Sequence, residues 1–244
     1  MSGDVFEIRP LDDVDELSEL VEVLGQVWGT DTAIVSLEMA RAISSSGGYV
    51  AAAFEPRPGS TRRMVGASVG ILARHRGQEA LHSHVTGLLP DVRGSGLGRA
   101  IKLHQRGWAA ERGIEWITWT FDPLVRRNAW FNIAVLGADV HAYLPDFYGT
   151  MTDAINAGDA SDRLHLEWRV AAPLPQRPRD GRDVSGRVTL VPTPEDVVAL
   201  RRTDAEAVAR WRARTRADLT SALDAGDRVL GFTRDGDYVI GSGT

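Results

Sequence analysis

The 244-residue chain has no cysteine, which excludes disulfides, thiolate metal sites and a cysteine nucleophile. No apolar run approaches 18 residues, and the acidic N-terminus lacks the apolar core of a signal peptide, so no membrane span or secretory leader is expected. Basic excess is missing too. A net charge of −5 and a pI near 5.7 argue against nucleic acid as the main partner. The expectation is a cytoplasmic protein without a metal, a membrane partner or a nucleic-acid partner. What is present is ordinary for a globular protein with a real core: 43% hydrophobic and 25% charged residues. The length allows one large domain or two modest ones.

The most informative stretch is His82 to Arg99. A short apolar run ends at Pro90, and a glycine-rich turn then opens a helix near Leu97. The helix reading rests on Leu97, Ile101, Leu103, Trp108 and Ala109, which recur near the 3.6 period up to Gly113. Gly94, Gly96 and Gly98 allow backbone N–H groups to converge without Cβ obstruction. They do so at a helix N-terminus, where amides are unsatisfied and the dipole favours an anion. The physical reading is a phosphate or pyrophosphate cradle, and the plain alternative is a tight strand-to-helix turn. Gly94-Ser95-Gly96-Leu97-Gly98-Arg99 has the wrong third spacing for a dinucleotide fingerprint, and no Gly-Lys-Ser/Thr follows to make a P-loop.

In chain order, Val5–Ile8 reads as a strand stopped by Pro10, and Asp12-Asp13 cap a helix with Leu17, Leu20, Val21 and Leu24 on one face. Ser36 caps a second helix to Ile43. Strands follow at Tyr49–Phe54, Met64–Arg74 (after a polar loop at Pro56–Arg63) and Leu81–Leu89, then the cradle helix and a strand at Glu115–Phe121. A helix over Asn128–Leu136, a loop over Tyr143–Gly149 and a strand over Leu164–Val170 complete this part. The cradle helix lies between two strands that should pair in parallel. Pro173–Gly186 reads as an exposed linker. Beyond it, a strand at Val188–Val191, helices at Pro194–Arg201 and Ala205–Leu223, and strands at Val229–Phe232 and Tyr238–Ile240 repeat the order of residues 5–74. The expected division is 1–172, a linker at 173–186, and a smaller α+β part at 187–244.

Arg93, Gly96 and Gly98 meet the R/Q-x-x-G-x-G/A signature of acetyl-CoA binding in the GNAT acetyltransferases, and the strand and helix order resembles that fold. Further residues resemble a little-described branch of this superfamily: Ser83-His84, Trp119-Thr120-Phe121-Asp122-Pro123-Leu124, Asn128-Ala129 with Phe131-Asn132, Leu136-Gly137-Ala138, Phe147-Tyr148-Gly149, Ser161-Asp162-Arg163-Leu164 and Glu167-Trp168. The resemblance implies an α/β (α+β) GNAT fold, a mixed central sheet flanked by helices, with a half-GNAT-like appendage.

It also implies acetyl-CoA or another acyl-CoA, succinyl-CoA included, as cosubstrate. Its pyrophosphate would sit on Arg93, Gly94, Ser95, Gly96, Leu97, Gly98 and Arg99, its pantetheine arm on Leu88 and Leu89, and Asn128 and Phe131 would add contacts. Leu88 N–H could serve the oxyanion. Strand alternation places His84 on the face of Thr86 and Leu88, where a group titrating near neutrality could take a proton from the substrate ammonium. The structural alternative for His84 is a hydrogen-bonded core histidine. Where many GNAT enzymes carry a tyrosine acid, this chain has Ile133, so Tyr148 is the acid candidate, with Tyr143 behind it. Ser83, Asp122 and Arg163 are the substrate candidates; Asp122 could instead cap the turn before Pro123. Of the Arg210/Arg212/Arg214/Arg216 series, spacing two leaves most on a solvated surface. The expected activity is acyl transfer to the amine of a small molecule such as an amino acid. The alternative is a non-catalytic acyl-CoA sensor, and a homodimer is left open.

Overall fold

The structure, a computed structural model, describes residues 6–29, 33–55, 62–149, 159–181, 184 and 186–242. They fall into two compact units, Met1–Thr118 and Trp119–Thr244.

In the first unit β1 (Glu7–Pro10) precedes α1 (Val14–Trp28) and α2 (Leu37–Ser45). There follow β2 (Tyr49–Glu55), β3 (Arg63–His75), β4 (Gln78–Leu88), a 3-10 turn at Pro90–Val92, α3 (Leu97–Ala110) and the start of β5 (Trp116–Phe121). Both early helices begin at their expected caps. Asp13 accepts from the N–H groups of Asp15 and Glu16, and Ser36 accepts from that of Met39. Leu17, Leu20 and Leu24 are buried against Val50, Val65, Val85 and Ile101, while Val21 packs at the rim of that core.

β1 runs two residues past the expected Ile8 and takes in Pro10. The proline is the strand's last residue, opposite Ala51, and β1 is an edge strand, where a missing N–H removes no ladder bond. Val5, and residues 56–61 of the expected hairpin loop, lie outside the described residues. β4 starts three residues before the expected Leu81, because His75 pairs with Gln78 across a two-residue turn. Arg76 and Gly77 in that turn have φ of 50° and 78°, the primed geometry that matches strand twist. The expected parallel pairing is present: Ala80, Leu81 and His82 face Trp116, Ile117 and Thr118.

The second unit takes up β5 at Trp119 and continues with α4 (Arg126–Ala129), a π-helical turn at Trp130–Val135, β6 (Asp139–Leu144) and β7 (Arg163–Arg169). It then holds β8 (Thr189–Pro192), α5 (Val197–Thr203), α6 (Ala205–Asp224), β9 (Arg228–Phe232) and β10 (Asp237–Gly241). Two expectations are corrected here. The helix anticipated over Asn128–Leu136 changes pitch at Trp130 instead of continuing as one α-helix. Tyr143, expected in a loop, lies in β6 opposite Leu164. β6 escaped the sequence because most of its residues are half-buried, which blurs a period-2 contrast. The strand order is β1-β2-β3-β4-β5-β7-β6 in the seven-stranded sheet and β8-β10-β9 in the small one.

The described residues 173–181 of the proline-rich stretch are irregular but pinned within their unit. Arg179 donates to the Gly137 carbonyl at 3.0 Å and to Asp139 at 3.1 Å, and its own carbonyl accepts from Phe232 N–H. Pro175 packs so closely on Gly137 (φ 74°) that a Cβ there would lie 2.5 Å from its ring. Among the described residues no helix is long and apolar enough to cross a membrane.

Candidate functional site

β4 is not a regular strand. Its register to β3 pairs Val85 with Val69 but Ser83 with Gly70, so His84 is an extra, bulged residue. The bulge breaks the alternation expected from His84 to Thr86. Ser83 and Thr86, three apart, both belong to one network with α3 side chains, which a regular strand would forbid. His84 is left exposed. Enough protein surrounds its ring that desolvation lowers its pKa, so the imidazole is the neutral, proton-accepting form at neutral pH. His82 is lowered as well, first by burial and then by the charges of His84 and Lys102, and its Nδ1 lies 3.1 Å from Thr118 Oγ1.

Pairing to β5 ends at His82, so from Ser83 onward β4 is laddered on its β3 side alone among the described residues. Leu89 N–H bonds the Val65 carbonyl at 2.9 Å, and antiparallel alternation then turns Leu88 N–H and C=O away from β3. The Leu88 carbonyl is taken by Arg93 Nε at 3.2 Å. Its N–H has no protein acceptor among the described residues.

The cradle itself has the expected form. Gly94 and Gly96 hold φ of 83° and 88°, a region that only glycine enters cheaply, and a Cβ at either would meet nothing within 4 Å. Space above the turn is therefore open. Ser95 Oγ donates to the Val92 carbonyl at 2.8 Å and accepts from Leu97 N–H at 3.3 Å. Arg99 and Ala100 N–H both bond the Gly96 carbonyl. Among the described residues, the N–H groups of Gly94, Ser95, Gly96 and Gly98 have no protein acceptor. Four donors at one helix N-terminus, next to Arg93 and Arg99, suit a diphosphate. The turn has both the room and the donor set that the pyrophosphate of an acyl-CoA requires.

Behind the bulge lies a group that sequence reasoning missed. Lys102 of α3 is buried (4% exposed) and donates to Ser83 Oγ at 3.0 Å and Gln105 Oε1 at 2.9 Å. Burial pushes its pKa down to about 7. Ser83, expected to contact substrate, is thus turned into the sheet–helix interface. The available signal was a cation at an α3 position one turn from Gln105, on the side that also holds the buried Ala109.

In the second unit, Asp122 follows β5 and caps the next turn, accepting from Leu124 N–H at 2.9 Å. The rest of its carboxylate is used by arginines. Arg212 Nη1 reaches Oδ1 at 2.6 Å, Arg212 Nη2 reaches Oδ2 at 3.0 Å, and Arg201 also donates to Oδ2. Asp159 closes a buried four-membered lattice, accepting from Arg201 at 2.8 Å and Arg212 at 2.5 Å. Burial alone would raise the Asp122 pKa, but Arg212, Arg201 and the Leu124 amide outweigh it and the net shift is downward. Asp162 behaves alike: burial opposes its charge, while Arg216, Tyr143 and the Asp146 amide lower its pKa. Its bond from Tyr143 Oη is 2.5 Å, which leaves that phenol raised by burial and by the carboxylate. The arginine series therefore divides by helical position. Arg212 and Arg216 turn inward, while Arg210 and Arg214 remain 67% and 58% exposed.

Tyr148 is 47% exposed, its hydroxyl 3.3 Å from Thr120 Oγ1 and its ring 5.2 Å from the buried Arg163 guanidinium. Asn128 is exposed, Phe131 half-buried, and Ile133 fully buried without any titratable group. Beside the ion lattice opens a cavity of about 1000 Å³, lined by Asp159, Arg201, Arg212, Arg216 and a face of α6 carrying Ala209 and Ala213. Asp159 and Arg201, which complete the lattice, were not singled out from the sequence. Asp159 sits in an irregular segment that carries no periodic signal.

A mixed sheet with a parallel pair joined by α3, a bulged β4 and a glycine cradle at the α3 N-terminus make up the fold of the GNAT acetyltransferases. Two solved structures illustrate the likeness. The NatC complex bound to Gag peptide and CoA matches with a TM-score of 0.52 at 13% identity, over 67% of this chain and 98% of that one. Salmonella typhimurium yncA, assigned as an acetyltransferase and solved with its cofactor acetyl-CoA, matches with a TM-score of 0.51 at 17% identity, over 69% and 98%. No family model matches the sequence, and no curated protein is significantly similar to it.

Proposed function

We propose that the chain is an acyl-CoA-dependent N-acyltransferase that moves an acetyl or succinyl group onto the amine of a small molecule such as an amino acid. The observation that carries this reading is the cradle: four N–H groups without protein acceptors over open space at the α3 N-terminus. The likeness in fold to two proteins solved with CoA and acetyl-CoA agrees with it. Bound acyl-CoA would supply an activated thioester carbonyl. Gly94 to Arg99 would hold its pyrophosphate, Leu88 and Leu89 its pantetheine arm, with Asn128 and Phe131 as further contacts. Leu88 N–H, free of β3, would stabilise negative charge developing on the carbonyl oxygen. His84, neutral at neutral pH, would accept the proton that the substrate ammonium must lose before its nitrogen attacks. Tyr148 would donate the proton taken by the departing thiolate. Arg163, stacked on Tyr148, would orient it.

One observation favours a second reading, an acyl-CoA sensor: Ile133 stands buried where related enzymes place the acid. The two readings separate in one assay, in which free CoA release from acetyl-CoA and succinyl-CoA is followed over a panel of amino acids and other small amines. The acyltransferase reading expects amine-dependent release, and a His84→Ala variant with lower kcat and unchanged cofactor affinity. In the wild type, kcat/KM should fall as pH drops through the lowered His84 pKa. Tight cofactor binding with no amine-dependent release across the panel would establish the sensor instead.

A further inference from the structure

Lys102 is the chain's only lysine; each of its other 27 basic side chains is arginine. That single lysine is almost completely buried, and the chemistry just described does not use it. Its contacts are specific. Nζ donates to Ser83 Oγ at 3.0 Å and to Gln105 Oε1 at 2.9 Å. Gln105 Nε2 then reaches Ser68 Oγ at 3.4 Å, and Ser68 Oγ lies 2.8 Å from Thr86 Oγ1. The path begins on Ser83, one residue before the bulge, passes through α3 and the neighbouring strand β3, and ends on Thr86, two residues after it. Only His84 and Val85 lie between its ends. Ser83, Lys102, Gln105 and Ser68 are all buried.

A bulge is a soft point in a strand, because the extra residue has no ladder partner and can slip to a neighbouring register. On its other side β4 has no ladder here among the described residues, since pairing to β5 ends at His82. The polar path therefore supplies what the backbone lacks, a tie across the bulge from both sides. Hydrophobic side chains at these positions could fill the space, but they would not specify which residue is extra. Arginine could not replace the lysine: its planar fork is larger and cannot shed its charge in a dry interface.

We propose that Lys102 is a positioning residue that locks the β4 bulge, holding His84 and, through the same strand, Leu88 N–H in register for acyl transfer. This rests on the acyltransferase reading for its kinetic consequence but not for its structural one. Lys102 touches no substrate; it acts through Ser83 and Gln105.

The test compares full-length wild type with Lys102→Met, which removes both bonds made by Nζ, and Gln105→Leu, which keeps the Lys102–Ser83 bond and cuts the path toward Thr86. Amide hydrogen exchange of the peptide spanning 81–88, acetyl-CoA affinity by calorimetry, and kcat and KM from CoA release are measured on each. In Lys102→Met, exchange around the bulge should quicken by about tenfold or more while α1 and β2 keep their protection. Its kcat should fall by about tenfold or more, with KM for acetyl-CoA and cofactor affinity within about threefold. Gln105→Leu should show the same pattern at smaller amplitude. Unchanged exchange at 81–88 in folded Lys102→Met overturns the proposal, and so does faster exchange with unchanged kcat. If Lys102→Met does not fold, Gln105→Leu decides by the same two criteria. A wild type that binds acetyl-CoA but acylates no amine would sink the acyltransferase reading, and the exchange data would still judge the lock.

Discussion

Arg212 grips Asp122 with both arms of its guanidinium, Nη1 to Oδ1 at 2.6 Å and Nη2 to Oδ2 at 3.0 Å, across 90 residues of sequence. Its remaining donors go to Asp159, and all three side chains are less than a tenth exposed. Fork and carboxylate are matched in shape, which lysine could not reproduce. Removing Arg212 leaves two carboxylates buried against Arg201 alone. Arg212→Ala should therefore cost about 3–5 kcal/mol, and Arg212→Lys should recover only part of it. Urea unfolding of the three proteins measures this, and a loss for Arg212→Ala no greater than that of an exposed arginine such as Arg210 would refute it.

Acid should act on the same unit. Asp122 and Asp162 both have folded pKa values below the ordinary 3.8. Their contribution to stability is complete above that value and is lost as pH falls through the lower folded ones. Denaturant midpoints should thus decline steeply from about pH 4 downward. Asp162→Asn should be less stable at neutral pH and show a shallower acid decline; an unaltered decline would remove Asp162 from the account.

Lys102 predicts a slope of the same sign at higher pH. With a folded pKa of about 7 against an ordinary 10.5, the unfolded chain binds the extra proton between those values. Stability must therefore rise with pH across that window, by up to about 1.4 kcal/mol per unit. His82 is the titrating neighbour whose pKa feels the Lys102 charge, and it is already neutral there. The raised pKa values of Tyr49, Tyr143 and Tyr238 work against stability only above about pH 10. Urea titrations from pH 7 to about 9.5 should show the rise in wild type and its disappearance in Lys102→Met. A flat wild-type profile would mean that Lys102 stays charged when buried.

The cradle is tested by Gly96→Glu, which puts a carboxylate at the φ 88° position where the diphosphate would sit. Acetyl-CoA affinity should fall by about a hundredfold, while Gly96→Ala should lose about 1 kcal/mol of stability from backbone strain and much less affinity. Calorimetry on both variants separates strain from blocking. Undiminished affinity in Gly96→Glu would empty the assignment.

Much of the frame was written locally. Asp13 and Ser36 cap their helices where a short polar residue precedes an apolar period. The density of β-branched and aromatic residues marked β5, and the turn from Arg93 to Gly98 kept its form, since backbone dihedrals and helix-end donors depend on near neighbours. β6 was invisible because half-burial gives little contrast, and β1 runs two residues past its expected end because a proline's effect depends on which side of a strand is paired.

Long-range geometry decided the candidate site. Alternation put His84 with Thr86, but a bulge is a mismatch between two strands, and one strand's sequence does not record the count of residues on the other. Spacing in α6 could say that Arg212 and Arg216 share a face; it could not say that Asp122 and Asp159 wait there. Lys102 drew no reading from the sequence, since a cation on an amphipathic helix ordinarily faces water. The sequence by itself determined the order of most elements, the helix caps and the glycine turn that opens α3, because each follows from contacts within a few residues. The tertiary structure alone decided which charges are buried, which carboxylates they meet and where β4 loses its register, because those depend on desolvation and on partners tens of residues away.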